Sequence, residues 1–218
     1  MYAKKTKTLK TLVVVLSVIL LMCLTVAGTL AYLQVQTGSV QNTFAPSNID
    51  LTLTETTGST YKMVPGVAMD KNPTVTVSGD VDAYVFVKIV EAGSVTVDDT
   101  TYTFDDFLSY AIDSGWTLLT GVEGLGDKLT TDGKIDTDAN DTYVIYREVK
   151  VSDSTKTFSV LADNKVTTNA SVTKQMMNAY TDESIKLTFT AYAIQMADGG
   201  AENNGNFTPA EAWAQAKQ

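Results

Sequence analysis

The chain has no histidine, and its 218 residues include a single cysteine, Cys23. Histidine is the commonest general base and metal ligand, and cysteine supplies thiol nucleophiles and many zinc ligands. The sequence therefore predicts no enzyme, no cofactor and no metal site. The acidic run 136–141, DTDAND, shares some features of a calcium loop but lacks its central glycine, and we interpret it as a solvated turn.

Positive charge is also scarce. The chain has 16 lysines and arginines against 25 aspartates and glutamates, for a net charge of −9. Nucleic acids and anionic membrane surfaces attract proteins that carry patches of lysine and arginine, and no such cluster follows the first ten residues. We therefore predict no nucleic-acid partner, and contact with a membrane only through the apolar N-terminal segment.

That N-terminal segment has the order of a secretory signal. Four lysines lie within the first ten residues, and the stretch 12–24, LVVVLSVILLMCL, is almost wholly apolar. Small residues then follow at alternate positions, Thr29 and Ala31, as the shallow pockets of a signal peptidase require. We predict a signal peptide over 1–31, cleaved between Ala31 and Tyr32.

Other interpretations of this segment stay open. Thr25 and Ala27 offer an earlier cleavage site, and residues 12–33 approach the length of a retained membrane anchor. Cleavage after Ala31 would remove Cys23, four lysines and no acid, so the net charge would go from −9 to −13. The exported domain would then have neither a thiol nor a disulfide.

Beyond residue 45 the chain alternates polar and apolar side chains, which is typical of half-buried strands. Ile49, Leu51 and Leu53 share one predicted face, and the stretch 184–193 repeats the pattern. The stretch 83–92, AYVFVKIVEA, is apolar on both faces, which predicts a central strand covered on both sides. Antiparallel strands are therefore the main predicted elements.

Three stretches predict helices between or after the strands. One runs from its cap at Thr103 to Gly115, and a second passes through 170–180. The third begins at Thr208 and would seat Trp213 on a sheet.

The predicted fold class is all-β. We expect a jelly-roll-like antiparallel β-sandwich with short helical insertions and a C-terminal helix, formed by the single domain 32–218. The glycine-rich and acidic stretch 121–141 predicts an exposed loop within it.

Lys88 is unusual because it lies among Tyr84, Phe86 and Val90 in the strand predicted to be most buried. An unpaired lysine there would be costly. Its ammonium group can reach past the sheet or pair with an acid such as Glu91. The sharper hypothesis is a crosslink, in which the neutral amine of Lys88 attacks an Asn or Asp side chain and forms an isopeptide bond.

Six stretches together span nearly the whole chain and carry a family pattern. They are AGTLAYL at 27–33, SVQNTFAPSNIDLTLTE at 39–55, MVPGVAMDKNPTVTV at 63–77, DAYVFVKI at 82–89, IKLTFTAYAIQMADG at 185–199 and PAEAWA at 209–214. In these stretches the chain resembles the TasA/camelysin-like exported proteins of Gram-positive bacteria. The junction near residue 31 and the last two stretches are the most specific.

The resemblance implies a jelly-roll domain, cleavage by a signal peptidase of the SipW type, and assembly into extracellular fibres of a biofilm matrix. In such fibres the new N-terminal segment of one subunit completes the sheet of the next. The corresponding donor strand here is 32–46, with apolar residues at Leu33, Val35, Val40 and Phe44. Camelysin-like members have been called metalloproteases, but a chain without histidine offers no matching zinc ligands.

The leading hypothesis is a secreted structural protein, a fibre subunit at the cell surface or in the matrix, whose partners are copies of itself or related matrix subunits. The alternative is a secreted or membrane-anchored adhesin or ligand-binding module that works as a monomer. In that case 32–46 would be an ordinary first strand of its own domain.

Overall fold

The computed structural model describes residues 9–19, 48–57, 61–127, 142–181, 184–197 and 205–218. By its internal contacts the chain divides into two compact units, Met1–Ala45 and Pro46–Gln218. In the first unit the described residues form one helix, α1, over 9–19, and its apolar side chains are exposed. Among the described residues, no helix combines the length and the apolar character that a membrane span needs.

The second unit consists mainly of short strands. In chain order they are β1 (Ile49–Thr54), β2 (Ala68–Asp70), β3 (Thr74–Gly79), β4 (Ala83–Ala92), β5 (Ser94–Val97), β6 (Thr100–Thr103), β7 (Leu108–Ile112), β8 (Thr117–Leu118), β9 (Thr142–Val149), β10 (Thr157–Ser159), β11 (Leu161–Thr168) and β12 (Lys186–Gln195). The helices of this unit are α2 (Phe104–Phe107), α3 (Lys174–Ala179) and α4 (Pro209–Ala216). The all-β class predicted from the sequence, with short helical insertions and a C-terminal helix, is confirmed.

The strands pair in antiparallel sheets and form a sandwich. The spatial orders are β1-β3-β10 in the first sheet, β12-β4-β9-β8 in the second and β2-β11-β7 in the third, and β5 pairs with β6 as a hairpin. Long stretches of alternating residues thus become paired strands, and the apolar side of each strand faces the interior.

β4 is the central strand of the second sheet, with β12 on one side and β9 on the other. Val85, Val87 and Ile89 point from one face into the main core, and all three are fully buried. Tyr84 and Phe86 point from the other face into a second, smaller core. The prediction of a central strand covered on both sides is confirmed.

α4 covers that second core. Thr208 begins the helix with a capping box, since its hydroxyl accepts from the backbone N–H of Glu211 while the Glu211 carboxylate accepts from the backbone N–H of Thr208. Trp213 then packs against Phe86 and Tyr192, with ring centroids 5.5 Å and 5.1 Å apart. The predicted C-terminal helix and its seat on the sheet are confirmed, and α3 confirms the helix predicted through 170–180.

The helix predicted from Thr103 to Gly115 is largely wrong. Thr103 does begin a helix, with Asp106 completing the capping box, but α2 ends after one turn at Phe107. The chain continues as β7, which pairs with β11. Tyr110 and Ile112 are both buried at alternate positions of β7, and pairing with a neighbouring strand outweighs the local helical signal.

Candidate strand-addition edge

The predicted cleavage residues and the apolar residues of the donor strand lie outside the described residues. These are Thr29, Ala31 and Tyr32 at the cleavage site, and Leu33, Val35, Val40 and Phe44 in the donor strand. The calcium-like run 136–141 also lies outside them. What the structure does describe is the domain to which such a strand would add, beginning at Asn48, one residue before β1.

Two strands lie at the ends of their sheets and next to each other. Within the described part of the chain, β1 is paired only with β3, and β12 is paired only with β4. β1 and β12 belong to different sheets, yet their Cα atoms approach within 8 Å. Unpaired main-chain groups on such strands are templates for another strand.

The core is incompletely covered along these two strands. Ile49, Leu51 and Leu53 of β1, and Leu187 and Phe189 of β12, face the main core but remain only half-buried. Four of these five residues have buried register partners on the neighbouring strands. Leu51 and Leu53 lie opposite Val77 and Val75 of β3, and Leu187 and Phe189 lie opposite Glu91 and Ile89 of β4. We call the partly exposed strip formed by these five residues the edge groove.

Contacts with Asp80, the residue after β3, fix the start of β1. The backbone N–H of Asn48 donates to Oδ1 of Asp80 at 2.9 Å, and the backbone N–H of Asp80 donates to the carbonyl of Asn48 at 3.2 Å. Gly79 pairs with Ile49 next to these contacts. A Cβ atom added to Gly79 would overlap the Asn48 carbonyl. The start of β1 is therefore held in place at the Ile49 end of the groove.

A polar cluster lies at the other end of β1. Nζ of Lys71 is 2.9 Å from both carboxylate oxygens of Glu55, and the Tyr61 hydroxyl donates to the same carboxylate. The ammonium group also lies 5.2 Å from the ring centroid of Tyr61 and 5.5 Å from that of Phe189. We call Glu55, Tyr61, Lys71 and Phe189 the Lys71 cluster.

The Lys71 cluster is partly shielded from water. The Lys71 side chain is 13% exposed and the Glu55 side chain 26% exposed. Asn72 fixes the chain beside Glu55, because its Oδ1 accepts from the backbone N–H groups of Thr56 and Thr57 at 3.0 Å and 3.1 Å. An ion pair in such a place is screened less than one on an open surface.

The ionisation of the cluster follows from its contacts. Burial alone would raise the pKa of Glu55, but the hydrogen bonds from Tyr61 and Lys71 and the Lys71 charge outweigh burial and hold that pKa below its ordinary value. Burial and the hydrogen bond to Glu55 raise the pKa of Tyr61. At neutral pH Glu55 is therefore a carboxylate and Tyr61 a neutral phenol.

Lys88 is half-buried in the middle of β4, opposite Val144 of β9 and Thr190 of β12. Glu91 lies three residues further along β4 and so on the opposite face, where it is 2% exposed and accepts a hydrogen bond of 2.7 Å from the Tyr110 hydroxyl. Glu91 is therefore not placed to pair with Lys88. The crosslink stays a prediction, and an intact mass without loss of ammonia or water would exclude it.

The described residues do not bring together a metal site. Among them, no group of three or more histidine, cysteine, aspartate or glutamate residues is close enough to hold an ion. The edge groove is built instead from main-chain edges and apolar side chains, a combination suited to binding an extended peptide.

Sequence patterns located the strands of the edge groove but missed the Lys71 cluster. Glu55 and Lys71 are 16 residues apart, and Phe189 is much further along the chain, so no local spacing brings them together. The only local signal is weak: Lys71 and Asn72 precede Pro73, and the residue before a proline favours an extended chain.

A scan against models of known protein families finds no match for this chain, and a search of curated proteins also finds none. The resemblance to exported matrix proteins, with the partners and location it implies, therefore remains a prediction from the sequence.

Proposed function

We propose that this protein is an exported structural subunit of an extracellular surface or matrix fibre, and that residues 32–46 of one copy add as a strand to the edge groove of the next. The observation that carries the proposal is the edge groove itself. Its five core-facing side chains are half-buried on β1 and β12, whereas the register partners of four of them on β3 and β4 are buried.

A strand added at this edge would complete the cover of the core. Each fully buried aliphatic side chain contributes about 1.5–3 kcal/mol relative to an exposed one, so half-buried residues leave part of that free energy to be gained on assembly. The main-chain groups at the edge would supply hydrogen bonds in the same step. Leu33 and Val35 alternate with glutamines, which gives the added strand one apolar face.

The lengths of donor and groove are compatible. At about 3.3 Å per residue, the segment 32–46 spans about 50 Å when extended. β12 has 10 residues and therefore spans about 33 Å on the same measure. The donor can cover the groove and still leave residues to connect two copies.

Location and partners follow from the same proposal. The signal over 1–31 directs export, a peptidase of the SipW type frees Tyr32, and the donor segment becomes available only after that cleavage. Copies of this chain or related matrix subunits are then the partners. The membrane is contacted only through the uncleaved signal.

The test uses the chain exported through its own signal, with and without residues 32–44. The complete exported chain should form filaments when concentrated, and the shortened chain should be a folded monomer. Polymers from the shortened chain would show that the donor-strand proposal is wrong. Folded monomers from both would favour the adhesin or ligand-binding module.

A pair of matched substitutions tests the alternation of the donor strand. Val35→Glu places a charge on the face proposed to enter the groove, and Gln36→Glu places the same charge on the opposite face. Only Val35→Glu should stop filament formation, because burial of a lone carboxylate is costly. Equal effects of the two substitutions would contradict the proposed register.

A further inference from the structure

The Lys71 cluster joins the elements that border the edge groove. Glu55 directly follows β1 in the first sheet, and Phe189 lies in the middle of β12 in the second. The backbone N–H of Lys71 donates to the carbonyl of Asn164 in β11 at 2.8 Å, so its main chain is fixed to the third sheet. Its ammonium group then bridges the strands on both sides of the groove.

Strand addition between β1 and β12 requires these strands to separate. Two strands that flank a third are about 9.5 Å apart, twice the spacing of neighbouring strands. In this structure β1 and β12 approach within 8 Å without pairing to each other. The contacts between Glu55, Lys71 and Phe189 span that separation, and insertion of a strand would have to lengthen or break them.

We propose that the Lys71 cluster is a latch that holds the edge groove closed and slows strand addition until it opens. The proposal rests on the proposed function, because it concerns control of the same site. The latch is a charged hydrogen bond with two acceptor oxygens, supported by a hydroxyl donor and placed between two aromatic rings. Charged hydrogen bonds are stronger than neutral ones.

The test compares two substitutions of the same kind in the exported chain. Lys71→Met keeps the length of the side chain but removes the ion pair and the cation between the rings. Lys165→Met is the matched control, since Lys165 pairs with Asp70 on an open surface where the two side chains are 45% and 71% exposed. Uptake of a fluorescent peptide of residues 32–46 is followed by anisotropy.

Lys71→Met should take up the peptide about tenfold faster than the unaltered chain, as expected for loss of one charged hydrogen bond. Lys165→Met should match the unaltered chain. Amide hydrogen exchange in β1 and β12 should also be faster in Lys71→Met alone. Unchanged uptake and unchanged exchange would overturn the latch and leave strand addition intact.

A double substitution separates the latch from a general loss of stability. Glu55→Lys combined with Lys71→Glu restores an ion pair of reversed polarity, and it should return the uptake rate towards that of the unaltered chain. Uptake that stays fast in the double variant would overturn the latch. If the unaltered chain, both methionine variants and the double variant all fail to bind the peptide, strand addition itself is wrong and the latch falls with it.

Discussion

Removal of the Trp213 ring should uncover the second core of the domain. Trp213 is 4% exposed and contacts Phe86 of β4 and Tyr192 of β12. Ala212 is the other residue of α4 that is buried there. The docking of α4 thus depends mainly on one side chain. Trp213→Ala tests whether the docked helix contributes to the stability of the domain.

The expected loss follows from this geometry. Truncation of a buried tryptophan to alanine costs about 3–5 kcal/mol in free energy of unfolding. α4 has only 8 residues, so it can detach from the sheet instead of preserving a cavity, and a detached helix of this length is unstable in water. We therefore expect the lower end of the range, about 3 kcal/mol.

The assay is urea unfolding of the exported chain, followed by the fluorescence of Trp116, the other tryptophan of the chain. Trp116 reports on the main core, because its Nε1 donates to the carbonyl of Ser159 at 2.7 Å. With a urea dependence of about 2 kcal/mol per molar, the midpoint should fall by about 1.5 M. Trp213→Phe is the control and should cost under about 1.5 kcal/mol. A loss below about 1 kcal/mol for Trp213→Ala would refute the docked position of α4.

Two further predictions concern the ends of β1. Gly79→Ala should lower the free energy of unfolding by about 1–3 kcal/mol, because the added methyl group overlaps the Asn48 carbonyl and the backbone must move; urea unfolding checks this, and an unchanged midpoint would contradict it. Because its contacts lower the pKa of Glu55, its contribution to stability is present above its unfolded-state pKa and is lost as the pH falls through its folded-state pKa. Unfolding midpoints at pH 7 and pH 3 should therefore differ less in Glu55→Gln than in the unaltered chain, and an equal difference would contradict the assignment.

The sequence was most informative where one pattern ran through a whole element. In β4 the apolar residues occupy both faces over ten positions, which left few alternatives to a central strand. In α4 the cap, the first-turn proline and the reciprocal acid agreed with one another, and helix and docking residue were both predicted correctly.

The sequence was less informative where a tertiary contact decided the outcome. A helical cap precedes residues 108–112, which favours a helix there. These residues instead pair with β11, a partner that the local pattern does not reveal. The β5–β6 hairpin turns at Asp98 and Asp99, both with positive φ, where an Asn-Gly pair would have been the familiar signal. The sequence therefore does not predict this hairpin.

In the candidate site too, local patterns predicted the strands but not the contacts between distant parts of the chain. Alternation in 49–53 and 185–193 identified the strands of the edge groove and their core-facing residues, because burial on one face imposes a period of two. That these strands are neighbours at the ends of two sheets depends on topology. The Lys71 cluster depends on three separate stretches of chain meeting in space, and no spacing encodes it.

The measurement that tests the central claim most directly is the assembly state of the exported chain, combined with the protection of the β1 and β12 amides from hydrogen exchange. Light scattering after size-exclusion chromatography gives the assembly state, negative-stain microscopy shows filaments, and amide hydrogen exchange compares monomer with polymer. We expect filaments on concentration, with added protection in β1 and β12 and little change in β9. A lasting monomer, or filaments whose β1 and β12 amides exchange as fast as in the monomer, would contradict strand addition at this edge.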